Sequence, residues 1–478
     1  MSGSALARTL TVACFHEDLL PGIRAVLPEF ERQTGMSVRA QAVPHGSYEL
    51  WIRTQMLSGD PPDIVLVDDL PLINRYGQSG LLQSIDALFA APSPYDRSAT
   101  PRPWRDVFKT ELIQQARDPS GRLWSVPFTQ YGVGFFYNRA VYEKLHLTPP
   151  ATWEQLISNF EAVRASGATA IACAVRANDA QTVWMADMIL ELLLRPVVPE
   201  VNLRHAAGWH YEVADPASTR DEAITLDERL VAFAHGVIDP ARSPAFRETA
   251  RLMREMAREF RPDFLSLDGE EVTRIFGRGE SVHFLNGTWY LRELSMMQRS
   301  IAQTAPERVF PWGVFPFPEL TAESTKLPRL GGITQNSALR VCLALPRHKN
   351  DAPREDAAVA LAQFLTAPTV TSELFKNTNV YDLPAMAEVP PKAGVESLAP
   401  PRRNAFLQVA QFRGYDARGE AEFWTLWQRF LGRQIELDDF LRGLSASHRA
   451  ALARLAAEQA PSLDQNFLKA QLPGGFAP

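Results

Sequence analysis

The first seventy residues switch repeatedly between two hydrophobic periods, and this alternation limits the fold more than any other feature. Leu10 to Phe15 is an apolar run, after which Ile23, Val26, Leu27 and Phe30 recur at helical spacing and Gly35 stops the helix behind Thr34. Pro28 inside that pattern predicts a kink. Ser37 to Val43 alternates as a strand, Tyr48 to Leu57 reads as a helix, and Asp63 to Val67 is a β-branched run bounded by Pro61 and Pro62. Strand, helix, strand, helix, strand is how a parallel sheet with crossover helices is written in sequence, so the expected fold class is α/β with a doubly wound beginning.

Later segments repeat the theme without a fixed period. Gly134 to Tyr137, Ala170 to Val175, Val282 to Leu285 and Leu339 to Leu345 read as strands. Helices are expected from Thr152 through Arg164, through Phe246, Ala250, Met253, Ala257 and Phe260, and over Ala357–Leu365, Glu420–Leu431 and Ala446–Glu458. Proline-rich stretches at 92–103, 196–199 and 389–401 are expected to be surface loops. The chain has 478 residues, whereas single cores usually stop growing near ~250 to 300. Two lobes are therefore expected.

Composition removes several function classes. With 46% hydrophobic and 22% charged residues the chain can bury a sizeable core in each lobe. A net charge of −6, a pI near 5.9 and the lack of any Lys/Arg-rich run argue against a nucleic-acid partner and favour small-molecule or protein partners. No apolar run approaches the ~18 residues of a membrane span. Cys14, Cys173 and Cys342 each lie in an apolar, strand-like stretch and read as buried free thiols, because metal ligands usually come in close pairs. No HExxH, CxxC or clustered-histidine spacing points to a metal, and no GxxxxGK[ST] to a nucleotide, so no cofactor is expected.

Six short motifs follow one another along nearly the whole chain. They are Asp60-Pro61-Pro62-Asp63-Ile64-Val65; Gly134 to Arg139 followed by Pro149-Pro150 and Thr152-Trp153-Glu154; Phe284-Leu285-Asn286-Gly287-Thr288-Trp289; Trp312 to Pro318; Gly331-Gly332; and Phe423-Trp424 with Gly432-Arg433-Gln434. In order and spacing they resemble the extracellular solute-binding proteins of the maltose-binding-protein class. The resemblance implies a periplasmic-binding-protein fold with two α/β lobes, each a mostly parallel sheet flanked by helices, crossed three times by the chain and holding a ligand in the cleft between them. Transferred to this sequence, it places 5–126 plus 327–367 in an N-terminal lobe and 127–326 plus 368–478 in a C-terminal lobe. It implies a monomer that hands its ligand to the permease subunits of an ABC importer and catalyses nothing. It implies a periplasmic or extracellular location, reached through a leader or membrane anchor missing from this sequence; the small, polar Met1-Ser2-Gly3-Ser4 reads as a remnant in its place. The stretch from Arg195 to Ser243, with Trp209-His210-Tyr211, is longer than the family pattern.

Ligands of open α/β sheets settle outside the carboxyl ends of the strands. His16 and Glu17 follow the first strand there, and Asp68 and Asp69 the third. Their carboxylates can accept hydroxyl hydrogen bonds, or Asp69 caps the next helix and Glu17 is merely solvated. Gln130 and Tyr131 fall at the first crossing, as ligand groups or as hinge packing. The resemblance makes Trp289 the first stacking platform, since a sugar ring exposes a face of C–H groups that suits an indole. Trp424 is implied as a second platform, and only one of Phe423 and Trp424 can point fully toward a ligand. Asn178 and Trp184 are ligand floor or core. Gly331 and Gly332 either admit close backbone approach or form a tight turn. The expected ligand is a carbohydrate or similar polyhydroxylated solute. One alternative is a glycerol phosphate or sugar phosphate bound at helix N-termini; another is a carbohydrate-active enzyme using Asp68 and Glu17 as acid and base.

Overall fold

The structure, a computed structural model, describes residues 9–118, 120–177, 181–205, 208–213, 218, 224–332, 337–399 and 408–476. The chain forms two compact units. The first contains residues up to Gly132, Thr288–Arg292 and Ser337–Glu396; the second contains Val133–Gly287, Glu293–Asn336 and the residues from Ser397 onward. Among the described residues nine strands are numbered in chain order: β1 (Thr9–Cys14), β2 (Ser37–Ala42), β3 (Ile64–Val67), β4 (Ser125–Gln130), β5 (Val133–Asn138), β6 (His283–Gly287), β7 (Trp312–Phe315), β8 (Leu339–Ala344) and β9 (Leu383–Pro384).

The first unit holds a six-stranded sheet in the order β2-β1-β3-β8-β4-β9. β1 pairs in parallel with β2 and β3, whereas β8 runs antiparallel to both β3 and β4, and β9 antiparallel to β4. In the second unit β6-β5-β7 is antiparallel throughout. This corrects the expectation of a mostly parallel sheet in each lobe. Apolar runs such as β3 and β5, buried along their whole length, report burial of both faces and leave strand direction open.

The opening elements fall where the hydrophobic spacing puts them. The first long helix spans Leu20–Thr34 with Pro28 inside it, and Gly35 ends it at φ 70°, its N–H donating to the Glu31 carbonyl. Asp63, fully buried just before β3, accepts from the Thr11 amide at 2.7 Å and from Arg354 Nε at 2.6 Å, tying β1 to the helix Ala352–Leu365. Burial works to raise its carboxyl, but His348, Arg354 and the Thr11 amide hold it below the ordinary range.

In the second unit Thr152 begins the helix Trp153–Ala165 with a capping box to Gln155. The amphipathic run from Phe246 forms the helix Pro244–Met256, which ends before Phe260. Residues 170–175 join no named strand; Ile171 makes parallel bridges to Phe260 and His283. The proline-rich stretch at 196–199 is not an irregular loop: Pro199 is exposed, but the stretch lies in the 3-10 helix Arg195–Glu200, whose Arg195 is buried and donates to Glu191.

Four segments pack elsewhere than the expected lobe division has them. Residues 127–132, 288–292 and 368–396 belong to the first unit, and 327–332 to the second. The helix Pro368–Lys376 packs on Leu20–Thr34, β9 pairs with β4, and the Thr288 amide donates to the Gly132 carbonyl at 2.9 Å. The three cysteines are free and buried. Burial pushes the Cys14 and Cys342 thiols up to about 12, so neither is a nucleophile at neutral pH. Among the described residues no helix is long and apolar enough to cross a membrane.

Candidate functional site

Strand directions in the first unit bring several polar residues to one edge. β1 and β3 are parallel, β8 opposes β3, and β4 opposes β8. The carboxyl ends of β1, β3 and β4 therefore lie beside the starts of β8 and β9, a placement fixed by the pairing of Gln130 with both Leu339 and Leu383. His16, Asp68, Asp69, Gln130, Tyr131, Arg340 and Asp382 all sit at these strand ends. Such an edge is where open α/β sheets present side chains to ligands.

Arg340 and Asp382 organise the edge. Asp382 is fully buried and accepts from Arg340 Nη1 at 2.9 Å, Thr288 Oγ1 at 3.1 Å and Thr129 Oγ1 at 3.4 Å. Burial raises its carboxyl above the ordinary range, while Arg340 and the two hydroxyls oppose the shift. The second guanidinium nitrogen, Nη2, lies 3.2 Å from His16 Nε2. Arginine has no acceptor, so His16 must accept here with its proton on Nδ1. The guanidinium carbon stands 5.3 Å from the centroid of the half-buried Trp289 ring, within cation–π range. Tyr131 meets Trp289 at 5.5 Å with the rings 78° apart.

Neighbouring groups extend this cluster. Lys109 Nζ donates to the Oε1 of buried Gln130 at 3.0 Å, and the Tyr131 amide donates to the Ala338 carbonyl at 3.0 Å. Asp18, rather than Glu17, is the buried acid after β1: burial raises its carboxyl, and Arg292 opposes this from 2.9 Å. Phe15 packs on Tyr48 at 5.3 Å, and Tyr48 stacks on Trp51 at 6.0 Å. Sequence reasoning missed Lys109, Thr288, Arg340 and Asp382. A charge opening the apolar run Arg340-Val341-Cys342-Leu343 was a visible signal for Arg340, but nothing marks Asp382 in the sequence.

The remaining candidates in this unit divide. Glu17 and Asp68 are exposed. Asp69 is exposed too, and its Oδ1 accepts from the Leu72 amide at 2.9 Å as the N-cap of the helix Leu70–Gln78. The structure thus brings together His16, Gln130, Tyr131 and Trp289, and gives Asp69 a capping role.

Candidates in the second unit have other surroundings. Trp424 is 5% exposed, its indole N–H donates to Glu420 Oε1 at 2.9 Å, and it meets Phe423 edge-on. Phe423 and Trp427 are fully buried, and Trp427 donates to Thr182 Oγ1 at 3.1 Å. Trp184 is half-buried on the helix Gln181–Leu194. Gly332 has φ 80°, a left-handed conformation that favours glycine, and its amide donates to Glu319 Oε2 at 2.9 Å. Gly331 is exposed, and Asn178 lies outside the described residues. In the long stretch after Arg195, Trp209 stacks between His205 at 4.3 Å and Tyr211 at 5.8 Å.

The family described as bacterial extracellular solute-binding protein matches residues 16–372. The chain belongs to this family. Among curated proteins, the multiple sugar-binding protein of Streptococcus mutans serotype c is 24% identical to this solute-binding protein over 210 residues. That match spans 44% of this chain and 44% of the relative's length. Among solved structures, the apo-form of RafE from Streptococcus pneumoniae aligns with a TM-score of 0.63 at 16% identity, covering 94% of this chain and 99% of that one. The cyclic alpha-maltosyl-1,6-maltose binding protein from Arthrobacter globiformis aligns at 0.59 with 17% identity, covering 93% and 98%. At such identities the structural likeness establishes the fold.

Proposed function

We propose that this solute-binding protein binds a carbohydrate or similar polyhydroxylated solute at the first-unit edge and delivers it, unaltered, to the permease subunits of an ABC importer. The observation that carries the reading is Trp289. A half-buried indole stands beside the donors of Arg340 and among the acceptors of the strand ends, and a sugar needs both an apolar face and a hydrogen-bonding rim. The relative named a multiple sugar-binding protein and the fold neighbour that binds cyclic alpha-maltosyl-1,6-maltose support the same class of ligand. The family description supports a periplasmic or extracellular place of work, where we take the protein to act as a monomer.

A glycerol phosphate or sugar phosphate is the second reading. Arg340 and Lys109 favour an anion, whereas Glu17, Asp68 and Asp69, exposed at the same edge, oppose it. Calorimetric titration with neutral oligosaccharides, glycerol 3-phosphate and glucose 6-phosphate separates the two. Saturable binding of a neutral saccharide is expected, with the same molecule recovered intact by mass spectrometry. Binding confined to the phosphorylated compounds overturns the first reading, and a cleaved product establishes the enzyme alternative built on Asp68 and Glu17.

A further inference from the structure

We infer that Arg340, oriented by the buried Asp382, determines which ligands the site accepts. Its guanidinium stands over the Trp289 ring and presents donors beside it, so a ligand must bring an oxygen acceptor next to the ring that stacks. This rests on the carbohydrate reading above and adds a specificity-determining residue to it, with Asp382 as its positioning residue.

Four observations carry the inference. Asp382 has no exposed surface, and burying a carboxylate is costly without a charged partner, so the pair with Arg340 fixes the arginine as firmly as the acid. The Arg340 side chain is itself 20% exposed, so it is not sealed in the core as Asp382 is. Arginine carries five N–H donors in a planar fork; Asp382 and His16 engage one nitrogen each, so further N–H groups are available to a ligand oxygen. The guanidinium carbon lies 5.3 Å from the Trp289 centroid, which places those donors within one sugar ring's width of the stacking surface. A simple stabilising ion pair explains the first observation but gives no reason for the other three. Lysine, a flexible point charge, cannot reproduce a fork that holds a carboxylate and lies on an indole together.

Three variants test this: Asp382→Asn, which keeps the buried volume, and Arg340→Met and Arg340→Lys at a partly exposed position. Each is titrated calorimetrically with raffinose, maltotriose and chitobiose, and the emission of Trp289 is isolated by subtracting the spectrum of Trp289→Phe. The saccharide bound by the unmodified protein should bind Arg340→Met and Asp382→Asn at least about tenfold more weakly, with Arg340→Lys a partial rescue. The isolated Trp289 emission and its quenching by acrylamide should change in Asp382→Asn, although that residue does not touch the ring. Variants that bind within about twofold of the unmodified protein overturn the specificity role while leaving the carbohydrate reading intact. Unchanged Trp289 emission in Asp382→Asn overturns the positioning role. Failure of the unmodified protein to bind any of the three saccharides overturns the carbohydrate reading and the specificity role together.

Discussion

The two units use the same residue types for opposite purposes. In the first, a tryptophan, an arginine and an aspartate meet at a sheet edge, where Trp289 stays half-buried and Arg340 partly exposed. In the second, Trp427 is sealed among Phe412, Phe423, Phe430 and Phe440, with ring centroids 5.3 to 5.9 Å from its own. Two buried carboxylates there accept from backbone amides. Asp187 accepts from the Phe412 amide at 3.0 Å and Glu191 from the Val409 amide at 3.4 Å, both from the helix Gln181–Leu194. An indole or a carboxylate in a motif is therefore no guide to function until its exposure is known.

The sharpest way to break this contrast is to remove the buried indole. Trp427→Ala should cost about 3 to 5 kcal/mol of stability in urea unfolding, while the folded protein keeps its ligand affinity. A large loss of affinity with little loss of stability would make Trp427 a ligand residue and erase the difference between the units.

Asp187 offers a second test through pH. Burial, ahead of any charged neighbour, pushes its carboxyl up to about 7 from an ordinary 3.8. A folded-state pKa above the unfolded one contributes stability that is complete below the unfolded value and is lost as pH rises through the folded value. The loss should therefore run between about pH 4 and pH 7 and amount to a few kcal/mol. Asp187→Asn keeps an acceptor for the Phe412 amide, so its melting temperature should exceed that of the unmodified protein at pH 8 and vary less across this window. Identical pH profiles would show that Asp187 is ordinary in the folded state.

Smaller effects sharpen the first unit. Trp289→Ala should weaken saccharide binding by about 1 to 3 kcal/mol in calorimetry with a nearly unchanged melting temperature. Asp69→Ala should remove about 1 kcal/mol of stability by losing the cap on Leu70–Gln78, without touching affinity. A drop in affinity instead would return Asp69 to the ligand.

The helix Leu20–Thr34 and the strands around it are legible because local spacing, Pro28 and Gly35 specify them within a few residues. Strand direction in the sheet is not, because β8 reaches its place between β3 and β4 only after the chain has built most of the second unit. The site shows the same divide. Trp289 is reached through a motif, His16 through the end of a strand and Gln130 through the implied first crossing, whereas Asp382 meets Arg340 across 42 residues and Arg340 meets His16 across 324. No pattern read along the chain can register such pairings.

The insertion of β8 between β3 and β4 has a consequence for synthesis. Until Leu339–Ala344 leaves the ribosome, the two halves of the first sheet have nothing to join them, and the seat for Arg340 waits further for Asp382. A polypeptide built in this order cannot settle early into a finished amino-terminal half, and so stays open for most of its translation, the condition in which a chain can be threaded through a membrane pore.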